Sequence, residues 1–463
     1  MKVDNGKQIN RPEDTIAAVA TAPGQGGIGI IRISGPNAEC ILQKIFSPAA
    51  HSGETEPVRM ESHKMMYGRI LDREEVLDEC MAVLMRAPSS YTREDVAEIQ
   101  SHGGTQVLNR ILDLCLMNGA RLAEAGEFTR RAFLNGRIDL SRAEAVMNLI
   151  SARGEQERRA AVRQMTGGTA DFIRKAADDL YQLQAGLAAC IDYPEEISDE
   201  EGAGALRTGL EKLIDELQGA VDERSSRLIH DGMHVTLFGI PNAGKSSILN
   251  AMVGQDKAIV TEIPGTTRDT VEGEIMLGGI RVYLTDTAGM RETEDPIERI
   301  GVERSERALR NADIAMLVLD GSKPLGEEEK EWLQQLQATD AILINKSDLP
   351  QVTTAQKVSA IRPDVRCLTV SALDTGSVQL IRDFLRESAE VGDQLVLTQP
   401  RHLEAVKRAV NCLEDAMRTL DTMTPDMAAT DLQAAQNALS EITGDRVEEK
   451  LLDAVFSGFC VGK

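Results

Sequence analysis

From residue 14 to residue 133 the chain alternates apolar β-type runs with a helical one. TIAAVATA, then GIGIIRIS beyond the turn PGQGG, and later CMAVLMRAP carry the branched and aliphatic residues of strands. HGGTQVLNRILDLCLMNGA instead repeats its apolar positions close to every 3.6 residues, as a helix requires. These runs predict an α+β domain over 1–133. The strand signals then stop. Within 134–229, Leu206, Leu210, Leu213 and Leu217 recur at steps of three and four. So do Leu403, Val406, Val410, Leu413, Met417 and Leu420 near the other end. Each set is one apolar stripe of a helix that needs a neighbour to cover it. Between these blocks, 233–388 alternates the strands HVTLFGI, RVYLTDT, DIAMLVLD, AILINK and CLTVSA with helices, which implies a mostly parallel sheet. The economical architecture is multidomain. A doubly wound α/β domain over 230–390 is inserted into an all-α domain made of 134–229 and 391–463. A string of three linker-joined domains is the alternative.

Composition narrows the class. Of 463 residues, 42% are hydrophobic and 27% charged, as in ordinary soluble proteins. No stretch approaches the roughly 20 apolar residues of a membrane span, and MKVDNGKQINRPED lacks the apolar run of a secretory signal. The expected location is the cytoplasm, away from membranes. Seven cysteines, Cys40, Cys80, Cys115, Cys190, Cys367, Cys412 and Cys460, are scattered without a CxxC pair, which argues for reduced thiols over a zinc site. The 51 basic and 74 acidic residues leave a formal charge of −23. A chain this acidic repels polyphosphate unless basic groups cluster or a partner supplies them. With 3% aromatics, platforms for stacking bases are scarce. Tight, autonomous binding of nucleic acid is therefore not expected.

The chemistry concentrates in the central block. GIPNAGKSS at 239–247 fits GxxxxGK[ST] and follows the strand HVTLF. The backbone N–H groups of Asn242, Ala243, Gly244 and Lys245 can wrap phosphate oxygens, Lys245 adds a cation, and Ser246 offers a hydroxyl to Mg²⁺, with Ser247 beside it. Thr266 and Thr267 in IPGTTRD can close over a terminal phosphate, one of them on the metal. Asp286 and Gly289 in DTAG suit the metal's outer shell and a backbone N–H to that phosphate. In NKSD, Asp348 can accept both hydrogens of the guanine edge, a charge-assisted bidentate contact that adenine cannot match. SAL, residues Ser371, Ala372 and Leu373, ends another strand and would back the base. Five such motifs in this order indicate a GTP-binding domain.

The residue after DTAG raises a difficulty. A glutamine that orients the attacking water is common there, and this chain has Met290. One substitute is an arginine, Arg268 or Arg291. Another is a cation held by Asn242 and backbone carbonyls, which would neutralise charge building between the β- and γ-phosphates. Glu298 in PIERIG can orient water directly or through a second water.

The set PNAGKSS, IPGTTRD, DTAGMRE, IERIG and NKSD resembles the TrmE–Era–EngA branch of P-loop GTPases. PGQGGIGIIRISG, SYTREDVAEIQSHGG, GEFTRRAFLNGRIDLSRAEA, IDYPEE and the terminal FCVGK narrow the resemblance to the MnmE (TrmE) family of tRNA-modification GTPases, over essentially the whole chain. It implies an N-terminal α+β folate and dimerisation domain, a helical domain, and an inserted G domain. The activity implied is potassium-activated GTP hydrolysis. With an FAD-binding partner, MnmG (GidA), it would serve to install an aminomethyl or carboxymethylaminomethyl group at C5 of the wobble uridine of certain tRNAs.

The resemblance also assigns residues. Ser246 and Thr267 fit the magnesium ligands. Asn242, Thr261, Ile263 and Thr266 fall where potassium takes its oxygens, and Glu298 where the family orients water. Catalytic roles fall to Glu298, Asn242 and Lys245. The nucleotide site as a whole gathers 242–247, Thr261, Glu262, Ile263, Pro264, Gly265, Thr266 and Thr267, then Asp286, Thr287, Ala288 and Gly289, then Asn345, Lys346, Asp348 and 371–373. Ile240 departs from the arginine common at its place. Arg32, Glu98, Arg137 and Lys463 match a site for 5-formyl- or methylene-tetrahydrofolate. Glu98 is suited to the pterin's amino group and ring N–H, the cations to its formyl or glutamate end. Cys460 is a further candidate, its tail expected to fold back toward the folate. FAD is expected on the partner, in an α2β2 complex around a homodimer, with tRNA held mainly through that complex. The competing function is an Era-like ribosome-assembly or regulatory switch, which would need a basic RNA-binding module that no Lys/Arg-rich block supplies. A folate-dependent aminomethyltransferase with a merely regulatory G domain is a third.

Overall fold

A computed structural model describes residues 14–49, 60–192, 199–255, 273–287, 309–392, 397–422, 425–447 and 449–462. The chain divides into two compact units. One comprises 1–147, 164–210 and 411–463, the other 148–163 and 211–410.

The first unit is built on a seven-stranded sheet. Its strands are β1 (Ile16–Val19), β2 (Gly26–Ser34), β3 (Phe46–Pro48), β4 (Met66–Asp72), β5 (Glu75–Met85), β6 (Val96–Gly103) and β7 (Arg121–Leu122). They lie in the order β3-β4-β5-β6-β2-β1-β7, antiparallel except for the parallel β1–β7 pair. The strict alternation of β2 and β6 sends Ile31, Ile33, Ala97 and Ile99 into a core with helices Ala38–Ile45 and Thr105–Met117. Arg32 and Glu98, directly paired in register, face the other way. Helix Gly168–Asp192 packs on helix Pro425–Thr443, so early and late parts of the chain cover each other's apolar stripes. Leu206 and Leu210 are buried as their spacing predicts.

The second unit holds β8 (Met233–Phe238), β9 (Gly273–Leu277), β10 (Ile280–Asp286), β11 (Ile314–Asp320), β12 (Ala341–Asn345) and β13 (Arg366–Thr369) in the order β13-β12-β11-β8-β10-β9. All neighbours are parallel except the hairpin β9–β10. The sequence reading found the parallel strands. β9 carries no such apolar run, because its GEIML exposes Glu274 and Met276 and lies on the sheet edge. Alternate residues of β11 and β12 enter two cores. Met316, Val318 and Leu343 pack with helices Lys245–Gln255 and Thr375–Ser388 on one face. Leu317, Leu319, Ile342 and Ile344 pack with helix Glu327–Gln335 on the other. That two-sided burial is what a doubly wound sheet requires. The chain enters this sheet from helix Glu223–His230 and leaves it toward helix Pro400–Thr422. The two crossings are tied together, Ser226 Oγ donating to the Thr398 carbonyl and Gln399 Nε2 lying 3.1 Å from His230 Nε2. Among the described residues no helix is long and apolar enough to cross a membrane.

Candidate functional site

The phosphate loop links the end of β8 to the helix that starts at Lys245. Its backbone adopts conformations that ordinary side chains resist. Gly239 has φ +147° and Gly244 φ +100°. A Cβ on Gly244 would stand 2.1 Å from Asn345 Nδ2, so only glycine fits. Asn242 also takes a left-handed φ of +64°, a conformation asparagine tolerates better than most residues, and its side chain is exposed. Lys245 is buried, its Nζ donating to the carbonyls of Gly239 at 3.0 Å and Ile240 at 3.3 Å. Burial draws its ammonium below the ordinary lysine range, and the nearby Asp286 carboxylate opposes this.

Ser246 Oγ donates to Asp286 Oδ2 at 2.5 Å, joining the helix start to the end of β10. Asp286 Oδ1 is buried and has no hydrogen-bond partner among the described residues. A buried, unpartnered carboxylate oxygen next to a serine hydroxyl suits a hard cation that prefers oxygen ligands, as Mg²⁺ does. Thr287 points inward, both its N–H and Oγ1 bonding the Leu237 carbonyl. It serves the strand junction.

The base-reading side assembles at the ends of β12 and β13. Asn345 Nδ2 donates to the Ala243 carbonyl at 2.8 Å, clamping this loop to the phosphate loop, while its Oδ1 accepts the Ala372 N–H at 3.3 Å. Ser371 Oγ donates to Asp348 Oδ1 at 2.7 Å, leaving the exposed Asp348 carboxylate oriented outward. Leu373 is 87% exposed, an apolar surface beside the group that would meet the base edge. Asn242, Ala243, Gly244, Lys245, Ser246, Ser247, Asp286, Thr287, Asn345, Lys346, Asp348 and 371–373 thus lie at neighbouring strand ends. Thr261, Glu262, Ile263, Pro264, Gly265, Thr266, Thr267, Ala288, Gly289 and Glu298 lie outside the described residues, as do Arg268, Met290 and Arg291.

Sequence reasoning missed Asp320. It ends β11, its side chain is 1% exposed, and Oδ2 accepts Lys346 Nζ at 2.7 Å. Oδ1 accepts Ser322 N–H and Oγ. Burial resists its ionisation, but the bonds from Lys346 and Ser322 outweigh that and hold its pKa at about 2. The signal was present as DG closing an otherwise wholly apolar strand.

In the first unit, Arg32 Nε and Glu98 Oε1 form a 2.8 Å ion pair, each side chain 17% exposed. The Arg32 guanidinium lies 5.6 Å from the ring centres of both Tyr91 and Phe128, and that of Arg137 lies 4.8 Å from Tyr91. Tyr91, which the sequence gave no reason to single out, therefore draws together two of the proposed cations. The tail arrives as well. Gly126 N–H donates to the Cys460 carbonyl, Ala125 and Val461 form a β-bridge, and Arg32 reaches the Gly462 carbonyl at 3.4 Å. Cys460 is exposed, and Lys463 lies outside the described residues. A carboxylate, two guanidinium groups and aromatic walls form a donor set that fits a flat heterocycle bearing N–H groups and an anionic tail.

Comparison with known proteins bears on the chain as a whole. A family model described as the MnmE helical domain matches residues 140–460, and one described as the GTP-binding protein TrmE N-terminus matches residues 15–137. The tRNA modification GTPase MnmE of Heliobacterium modesticaldum is 42% identical over 466 residues, covering 97% of this chain and 99% of that protein. The proteins of the same description from Alkaliphilus oremlandii and Bacillus velezensis are 40% identical over 461 residues and 41% over 463. Each alignment covers 97% of this chain, with 99% and 100% of the relative.

Proposed function

Because the chain belongs to the MnmE family of tRNA modification GTPases, we propose that it hydrolyses GTP with the help of potassium, and that this cycle drives modification of the wobble uridine of certain tRNAs. The observation that carries the reading is the exposed, left-handed Asn242 at the rim of a loop whose lysine is already buried among carbonyls. An amide oxygen there is free to serve a monovalent cation while Lys245 serves the phosphates. Asn242, Thr261, Ile263 and Thr266 would hold potassium, and Ser246 and Thr267 magnesium, with Asp286 in its outer shell. When bound, these cations neutralise charge developing between the β- and γ-phosphates. Asp348 selects guanine, Asn345 holds the base loop to the phosphate loop, and Glu298 orients the attacking water.

In the same reading, Glu98 takes the pterin edge of a 5-formyl- or methylene-tetrahydrofolate and Arg32, Arg137 and Lys463 its anionic end. The folate supplies the one-carbon unit of an aminomethyl or carboxymethylaminomethyl group at C5. An FAD-binding partner, MnmG (GidA), completes an α2β2 complex around a homodimer in the cytoplasm. The domain borders that accompany it are 1–133, 134–229, 230–390 and 391–463. The test is GTP turnover in potassium against sodium. The rate is expected to rise strongly in potassium and Asn242→Ala to abolish the gain. A rate indifferent to the cation would overturn the mechanism.

A further inference from the structure

The net charge of −23 hides a local reversal. Between Arg130 and Lys175 the chain carries ten basic residues against five acidic ones. Within the second unit this excess is concentrated on helix Glu155–Met165 and the residue leading into it. Arg153, Arg158, Arg159 and Arg163 are all exposed. Arg159 and Arg163 are one helical step of four apart and share a side of the helix, while Arg158 and Arg159 flank Glu155 at steps of three and four, so the three arginines spread over the solvent-facing half of the helix.

The two acidic residues of this stretch do not cancel that side equally. Glu157 is taken up on a different side, where its Oε1 meets Arg281 Nε at 2.8 Å and its Oε2 accepts the Arg153 N–H at 2.7 Å. Glu155 bonds both Arg158 and Arg159, at 2.8 to 3.0 Å, with all three side chains about half exposed. Ion pairs this exposed contribute little and are screened by salt. A phosphate oxygen can therefore replace the Glu155 carboxylate at small cost, and guanidinium groups match phosphate in a planar, two-pronged fashion.

The helix is also held still. Ala161 is buried and Ala160 packs on the core of the sheet. Gln156 N–H donates to the Gly279 carbonyl at the tip of the β9–β10 hairpin, and Gly154 approaches that carbonyl so closely that a Cβ would come within 2.5 Å. Arg281 further bonds the His230 carbonyl and Tyr283 Oη. The arginines thus stand on a rigid support, which lowers the ordering cost of docking.

We propose that Arg158, Arg159 and Arg163, with Arg153 at their N-terminal end, form a docking stripe for the phosphate backbone of an RNA, the tRNA of the reading above, on which this inference rests. The commitment to RNA comes from charge. Clustered guanidinium groups on an otherwise acidic molecule attract a polyanion to one face and repel it from the rest.

The test is fluorescence anisotropy of labelled tRNA transcript with the full chain at potassium chloride concentrations from about 50 to 200 mM. The triple variant R158E/R159E/R163E is expected to bind roughly 30-fold more weakly at the lowest salt. It should also flatten the slope of log affinity against log salt by about 2 to 3, the contribution of three phosphate contacts. The triple lysine variant keeps charge and should keep most of the slope. R418E, which alters an exposed arginine paired with Asp415 on another helix, should bind as the parent does. Circular dichroism of the glutamate variant should match the parent. Parent-like affinity and slope in the glutamate triple would overturn the stripe, as would absence of RNA binding by the parent at the lowest salt. The reading it rests on fails separately, if tRNA from cells lacking this chain carries unchanged wobble nucleosides.

Discussion

Replacing Asp320 by Asn removes one buried charge while keeping the shape of the side chain. In the folded protein the carboxyl titrates at about 2 against an ordinary 3.8, a difference that converts to roughly 2.4 kcal/mol in favour of the folded, ionised form. Lys346, its partner, has a side chain 30% exposed, so solvent screening reduces this to about 1.5 kcal/mol. The sign follows from a depressed acid. The stabilisation is complete above the unfolded value near 4 and disappears as pH falls through 2, with about half remaining at pH 3. The chain provides its own reporter. Trp332, its sole tryptophan, packs edge-on against Phe238 at 5.9 Å in the same core as Leu319. Urea unfolding followed by Trp332 fluorescence should therefore show Asp320→Asn losing roughly 0.5 to 1 M in midpoint at pH 7, for a slope near 2 kcal/mol per M. The gap should narrow by about half at pH 3. Equal midpoints at pH 7, or a gap of unchanged size at pH 3, would refute the assignment of that carboxylate as ionised and structurally engaged.

Gly244→Ala forces a Cβ onto Asn345 Nδ2 and keeps an unfavourable φ, at a cost of about 1 to 3 kcal/mol. Calorimetric titration with GDP should show affinity falling by one to two orders of magnitude, and parent-like affinity would mean the clamp is dispensable. Arg131, 1% exposed, bonds Asp14, Glu94 and Glu127. Arg131→Met should cost about 3 to 5 kcal/mol by taking the cation from Glu94 and leaving Asp14 and Glu127 to Arg121 alone, seen as a lowered thermal midpoint. Tyr91→Phe keeps the ring that Arg32 and Arg137 approach and loses only the hydroxyl contact to Thr129. In equilibrium dialysis with 5-formyl-tetrahydrofolate it should bind nearly as the parent, whereas Tyr91→Ala should bind about tenfold more weakly, for roughly 0.5 to 2 kcal/mol of cation–π attraction. Equal binding by both would separate the ring from the pocket.

What could be read from sequence was whatever is contiguous. The glycines of the phosphate loop, the NKSD run and the apolar strands carry their meaning in consecutive residues, because backbone wrapping and period-two burial are local demands. Contacts assembled across the chain were less accessible. Asp320 meets Lys346 only because parallel pairing sets β11 beside β12. Tyr91 gathers Arg32 and Arg137 from different elements. The tail was placed beside Arg32 through resemblance, not through any pattern in FCVGK. The basic stripe does not read as a Lys/Arg-rich run because its arginines are spread over a helix and interrupted by glutamate and alanine. The nucleotide-switch residues proposed from sequence, from Thr261 to Thr267 and at Glu298, lie outside the described residues.

The bonds from Ser226 to Thr398 and between His230 and Gln399 put the way in and the way out of the nucleotide-binding sheet side by side. Extended backbone spans about 3.3 to 3.6 Å per residue, so a splice of roughly three small residues can bridge that doorway. The sheet is in this sense a cassette. A replacement of similar girth can be exchanged for it without cutting the framing helices, provided that it also covers Leu228 and Ile229, which helix Glu223–His230 buries in the core of this sheet.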